Sequence, residues 1–152
     1  MSNAKMDNAK MSNRNNTKTS NITIATAPCS WGVWYADGTP SGTPYDLFLK
    51  QASEIGYKAL ELGPDGYLPT EADRLKEILA HHGLSVCAGT ACYAFDRYDS
   101  FEGFRPQIEA LCERIRSLGG RYLVTMDESD VGLYSEKKAD YTAARWNKYL
   151  EM

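Results

Sequence analysis

The sequence repeats one kind of junction, in which a helical segment ends at a glycine and an apolar strand follows almost directly. The junctions are Ile55-Gly56-Tyr57, His82-Gly83-Leu84 and Gly120-Arg121. Together with the first apolar segment they place strand starts near residues 22, 57, 84 and 121. Strands that alternate with helices at this interval indicate βαβ units, and therefore an α/β fold with a parallel sheet.

The predicted strands are four short segments rich in apolar and β-branched residues: 22–27, 57–62, 84–89 and 121–126. The first helix is predicted to start with Thr43 as the N-cap and Pro44 as the first helical position, and to end at Ile55. Thr70, followed by Asp73 three residues later, resembles a capping box for the second helix.

Ser100 is predicted to cap a third helix, and a fourth helix is predicted to begin near Lys138. The third helix has the clearest amphipathic pattern of the chain, since apolar residues recur at intervals of three and four. They are Phe101, Phe104, Ile108, Leu111, Cys112, Ile115 and Leu118.

The chain divides into a polar start and one apolar domain. Residues 1–20 form a loose repeat of asparagine, serine and lysine that cannot bury a core, which predicts a disordered leader or tag. Residues 21–152 then hold four βα units, half of a (β/α)8 barrel that typically takes about 250 residues. A small open α/β sheet is the alternative, and the stop after the fourth helix favours a partial barrel.

Charge and composition exclude several classes of protein. The 152 residues carry a net charge of −3, which argues against nonspecific nucleic-acid binding. No segment approaches the roughly 20 apolar residues of a membrane helix, so no membrane partner is expected. The four cysteines match no zinc spacing and suggest a reducing compartment, the cytoplasm.

Aromatic and acidic residues follow the predicted strands, where parallel α/β folds carry their sites. Trp31 and Trp34 come after the first strand, Glu61 ends the second, and Asp127 follows the fourth. Aromatic faces beside hydrogen-bonding groups suit a polyhydroxylated ring, so we expect substrate binding by the tryptophans and Asp127. The alternatives are packing of the tryptophan loop against the first helix, and a turn cap for Asp127.

Glu61 is the strongest single candidate for a functional residue. It lies between Leu60 and Leu62, so in a strand it should point to the face opposite both leucines. An inward carboxylate at a strand end is costly unless it is used or paired. General acid/base catalysis or a substrate hydrogen bond is expected, with pairing to a buried arginine or a backbone amide as the structural alternative.

Metal and nucleotide motifs are missing from the sequence. His81 and His82 fall at a helix end remote from the strand mouths, where a cationic histidine is a common stabiliser. No HxxE, HExxH or paired-cysteine motif occurs, and no glycine-rich phosphate loop follows the first strand.

Three segments carry a specific resemblance: APCSWG at 27–32, LELGP at 60–64 and GLSVCAGT at 83–90. With them the chain resembles the xylose-isomerase-like TIM-barrel family of sugar isomerases and epimerases, over residues 22 to about 150. Within this family it is most similar to the inosose dehydratases of inositol catabolism.

The resemblance implies a lyase that removes water from 2-keto-myo-inositol to give a cyclic dione, with a divalent Mn²⁺ or Co²⁺ and in some members glutathione. The family's metal ligands come from the second half of the barrel, so no metal ligand is assigned here. Catalysis is carried over to Glu61, and substrate binding to Trp31, Trp34 and, more weakly, Asp127.

Two other functions remain open: a sugar or keto-polyol isomerase or epimerase of the same family, and a noncatalytic binding fragment. The expected partner is a small keto-polyol or sugar. A half barrel would also leave two open sheet edges, which predicts a homo-oligomer or a complementing C-terminal half.

Overall fold

A computed structural model describes residues 22–93, 101–127 and 142–151. The leader, Ser100 and Lys138 lie outside the described residues. The strands are β1 (Ala25–Thr26), β2 (Ala59–Glu61), β3 (Ser85–Tyr93) and β4 (Tyr122–Asp127). The α-helices are α1 (Tyr45–Ile55), α2 (Ala72–His81), α3 (Arg105–Ser117) and α4 (Ala143–Glu151), and short 3₁₀ turns occupy Pro28–Trp31 and Phe101–Gly103.

The sheet is parallel throughout and its strands lie in chain order, β1-β2-β3-β4. A doubly wound sheet reverses this order, which places helices on both faces. Right-handed crossovers that always step in one direction instead place the helices on one face. The α/β class with successive parallel βα units is therefore confirmed, and the strand order is that of a barrel arc.

The core lies between the sheet and its helices. The first two helices bury residues at helical spacing: Phe48 and Ala52 in α1, and Leu75 and Leu79 in α2. They pack in one cluster with Leu60 and Val86 of the sheet, with Leu62 just after β2, and with Ile115 of α3. Because the helices cover this face, the opposite face of the sheet is left to form a site.

The third helix packs through fewer residues than its sequence pattern predicts. Phe104, just before α3, and Ile115 within it are buried, while Cys112 is exposed, so the place on the apolar face that the amphipathic pattern predicts for Cys112 is wrong. The reason is a close approach on one line of the helix. A Cβ on Gly89 of β3 would lie only 2.9 Å from Ile115 Cδ1 and 3.2 Å from Leu111 Cδ1, so the helix rests on the strand along the line of these two residues, and Cys112 lies beside that line.

The predicted caps of α1 and α2 are also wrong. The N-cap positions are Pro44 and Glu71, and neither helix has a side-chain cap hydrogen bond. The Thr43 hydroxyl instead donates to the Trp31 carbonyl oxygen at 3.5 Å. Thr70 lies one residue before the N-cap of α2, so its predicted capping box does not form.

The described helices include none that is long and apolar enough to cross a membrane.

Candidate functional site

A cavity of about 470 Å³ opens at the carboxyl ends of the strands. Segments at or after all four strand ends line it. The lining residues are Ala27, Cys29, Val33, Trp34, Tyr35, Glu61, Gly63, Pro64, Asp65, Thr90, Cys92, Tyr93, Val124 and Met126. The walls are thus mainly aromatic and aliphatic, with two carboxylates among them.

An irregularity in the sheet determines which side chains share the cavity face. Leu60 pairs with Val86, but the next residue, Glu61, pairs with Ala88, so Cys87 is an extra residue on β3. A bulge of this kind changes the face to which the following side chains point. It leaves Val86 in the core with Leu60, and it places Thr90 and Cys92 of β3 on the same cavity as Glu61.

Glu61 lies where its neighbours predict. Leu60 and Leu62 are buried in the core, while the half-buried Glu61 lines the cavity. Its Oε1 accepts a hydrogen bond from Thr90 Oγ1. The partner is therefore a hydroxyl group, and a carboxylate retains capacity for further hydrogen bonds to a ligand.

The two tryptophans have different surroundings. Trp34 lines the cavity. Trp31 packs toward the first helix: its Nε1 donates to Gln51 Oε1 at 2.7 Å, and its ring meets Phe48 edge-on with centroids 4.9 Å apart. Trp31 has the packing contacts of the structural alternative and does not line the cavity.

Asp127 ends β4 opposite Tyr93 and is exposed, outside the lining of the cavity. Asp65, in the loop after β2, lines the cavity in its place. Neither Asp65 nor Thr90 was singled out from the sequence. The only available signal was that both follow a strand, because the pairing that brings Thr90 to Glu61 depends on the bulge.

Cys87, the extra residue of the bulge, donates its thiol to the Leu60 carbonyl oxygen at 3.3 Å. Burial raises the pKa of this thiol, and the charge of Glu61 adds to the effect. The thiol is therefore protonated at neutral pH, which suits a structural donor and not a nucleophile.

A second cavity of about 320 Å³ adjoins the first and shares Gly63, Asp65, Thr90 and Tyr93 with it. Its other wall belongs to α3 and includes Gln107, Leu111 and Arg114. The loop after β2 therefore stands between the candidate site and the third helix.

The described residues contain no group of three or more histidine, cysteine, aspartate or glutamate side chains that could hold a metal ion. His81 and His82 lie together at the end of α2, and neither lines the cavity. The described part of the chain therefore does not fit the divalent metal that the resemblance implies.

Comparisons with known proteins concern parts of longer chains. A xylose isomerase domain containing protein from Salmonella typhimurium LT2 has a TM-score of 0.47 and 17% identity over 67% of this chain and 36% of its own. An AP endonuclease of family 2 from Brucella melitensis has a TM-score of 0.44 and 16% identity over 70% of this chain and 41% of its own. A xylose isomerase domain protein from Alicyclobacillus acidocaldarius has a TM-score of 0.45 and 24% identity over 66% of this chain and 35% of its own.

The chain thus spans 35% to 41% of the length of these proteins. No family model and no curated protein matches the sequence.

Proposed function

We propose that the chain forms the substrate-facing part of an inosose dehydratase-like lyase that acts on a keto-polyol. The observation that carries the proposal is Glu61, a carboxylate on the cavity wall at the end of a parallel strand, held by the Thr90 hydroxyl. Catalytic groups of parallel α/β folds occupy this position.

The walls of the cavity suit a hydroxylated ring. Trp34, Tyr35 and Tyr93 offer aromatic faces for its C–H side, and the carboxylates of Glu61 and Asp65 can accept hydrogen bonds from its hydroxyl groups. The volume of about 470 Å³ falls within the range of roughly 300–1,000 Å³ that small-molecule sites occupy.

The dehydration begins with removal of a proton from the carbon next to the ketone. In its ionised form Glu61 accepts this proton as a general base, and the electron pair of the broken C–H bond forms the enolate. The enolate then expels the β-hydroxyl group, which takes up the proton that Glu61 has gained and leaves as water, so that Glu61 is ionised again. Thr90 keeps the carboxylate in place during the transfer, so little reorientation is needed.

An isomerase or epimerase would use the same first step and return the proton to a different carbon or face. The products separate these reactions: a cyclic dione identifies a dehydratase, and an isomeric ketone identifies an isomerase or epimerase. Binding without either product supports the third reading, a noncatalytic segment.

Proton NMR of 2-keto-myo-inositol in D₂O with the chain tests the proposal. We expect broadening of the ligand signals on binding. Glu61→Gln should lower the affinity about tenfold, because a hydrogen bond to a charged acceptor is lost. Glu54→Gln is the matched control, since Glu54 is exposed on α1 and makes only a 4.0 Å ion pair with Lys50. Unbroadened signals, or equal effects of the two variants, would contradict the proposal.

A further inference from the structure

Arg114 of α3 reaches across to the β2–α2 loop, residues 62–71. Its Nη1 lies 2.6 Å from Asp65 Oδ1, and its Nη2 donates to the carbonyl oxygens of Pro69 at 3.1 Å and Leu68 at 3.4 Å. One guanidinium group therefore contacts the loop at both its cavity end and its helix end.

The burial of the two charges is unequal. The side chain of Arg114 is 17% exposed, whereas that of Asp65 is 87% exposed. An ion pair with so exposed a partner contributes little by itself. The carbonyl contacts are different, because loop carbonyl groups lack the regular partners of a strand and need donors.

The position of Arg114 has a cost for the side chain itself. Its Nε is buried and has no hydrogen-bond partner among the described residues. An unmade bond of a buried donor opposes this placement. The three contacts with the loop are what hold the guanidinium there.

The other side of the loop is fixed by close packing. A Cβ on Gly63 would lie 2.6 Å from Pro28 Cγ, so this end of the loop rests directly on the turn after β1. Pro64 and Asp65, which line the candidate site, follow this packed point directly, and Asp65 is itself contacted by Arg114.

We infer that Arg114 is a positioning residue, which fixes the β2–α2 loop from α3 and so sets the wall of the cavity formed by Pro64 and Asp65. It acts on the site without lining it. The inference deepens the proposed function, and it rests on that function only for its ligand-binding readout.

Hydrogen exchange on the full chain tests it. Arg114→Gln should speed amide exchange in residues 62–71 about tenfold, because three bonds to a charged donor are lost, while exchange in β3 stays unchanged. The affinity for 2-keto-myo-inositol should fall several-fold. Arg114→Lys, which keeps the charge but has a single donor group, should give an intermediate exchange rate and a partial recovery of affinity.

Arg116→Gln is the matched control, since Arg116 lies on the same helix, is 82% exposed and pairs only loosely with Glu113 at 3.6 Å. Equal exchange of residues 62–71 in the Arg114→Gln and Arg116→Gln variants would overturn the inference. Faster exchange in β3 to the same degree would also overturn it, since that marks a loss of global stability. Should Arg114→Gln fail to fold, Arg114→Lys decides by the same comparison. Absence of ligand binding by the wild-type chain would count against the proposed function alone, because the exchange result does not depend on it.

Discussion

Tyr67 connects the loop after β2 with the start of α1. Its ring is buried, and its hydroxyl donates to the Thr43 carbonyl oxygen at 3.0 Å. Burial, with a smaller contribution from the charge of Asp46, raises the pKa of Tyr67 from 10.0 to about 12. The hydroxyl thus stays a neutral donor well above the pH at which an exposed tyrosine ionises.

This shift predicts how stability depends on alkaline pH. Between pH 10 and about 12 the unfolded chain releases the Tyr67 proton while the folded chain keeps it. The free energy of unfolding should therefore be unaffected by this group below pH 10 and fall as pH rises through that window. Tyr67→Phe should lower the stability at pH 7 by about 1 kcal/mol and weaken the alkaline fall.

Urea unfolding at a series of pH values measures both effects. Tyr35→Phe is the control, because it also removes one phenol hydroxyl group, from a side chain that is 49% exposed, and leaves the hydroxyl group of Tyr67 and the alkaline fall that it causes in place. An unchanged alkaline fall in Tyr67→Phe would contradict the assignment.

At the residue level, the local sequence pattern predicted the direction in which a side chain points better than it predicted the residues that the side chain contacts. The alternation of Leu60, Glu61 and Leu62 was enough to direct the carboxylate to the face opposite the core. The different placements of Trp31 and Trp34 could not be predicted. Both follow the same strand, and only the position of Gln51 on the packed helix gives Trp31 its partner.

At the level of elements, the order and type of the described strands and helices followed from glycine stops and apolar spacing. Their ends did not. β3 continues to Tyr93, four residues past its predicted end, because β4 pairs with it from Ala88 to Tyr93. Such pairing joins residues that are far apart in the chain, so the local sequence of residues 84–89 does not predict it.

The packing of α3 on β3 gives a prediction at this scale. Gly89→Ala would place a Cβ 2.9 Å from Cδ1 and Cγ1 of Ile115 and 3.2 Å from Leu111 Cδ1. Overpacking of this kind should destabilise the chain by about 1–3 kcal/mol. Chemical denaturation measures the change.

The double variant Gly89→Ala with Ile115→Ala distinguishes a clash from an effect of the strand backbone. Alanine lacks both the Cδ1 and the Cγ1 atoms that the new methyl group would meet, so the two changes should compensate by at least about 0.5 kcal/mol relative to their sum. Strict additivity would show that Ile115 is not what the new methyl group meets.

At the level of the whole molecule, the fold follows from the order of the strands. Because β1 and β4 each pair with one neighbour in the described sheet, they are its two edges. Large apolar side chains are exposed on or beside these strands: Ile22 and Ile24 just before β1, and Tyr122 on β4. The sequence predicted open edges from the count of βα units, but it could not show which side chains they expose.

Such edges favour pairing with another chain, so we expect the protein to self-associate. Sedimentation velocity over a range of concentrations should show a dimer or larger species, and Tyr122→Lys should shift the distribution toward monomer, because a lysine on an edge strand opposes pairing.

Ile55→Lys is the control: Ile55 is as exposed as Tyr122, 67% in each case, but it ends α1 and is not on the sheet. Equal shifts by the two variants would point to general surface hydrophobicity, and a monomer at every concentration would rule out association through the edges. A dimer that only Tyr122→Lys weakens would place the contact at β4, the strand whose Val124 and Met126 also line the candidate site, and association would then bear directly on the shape of the cavity.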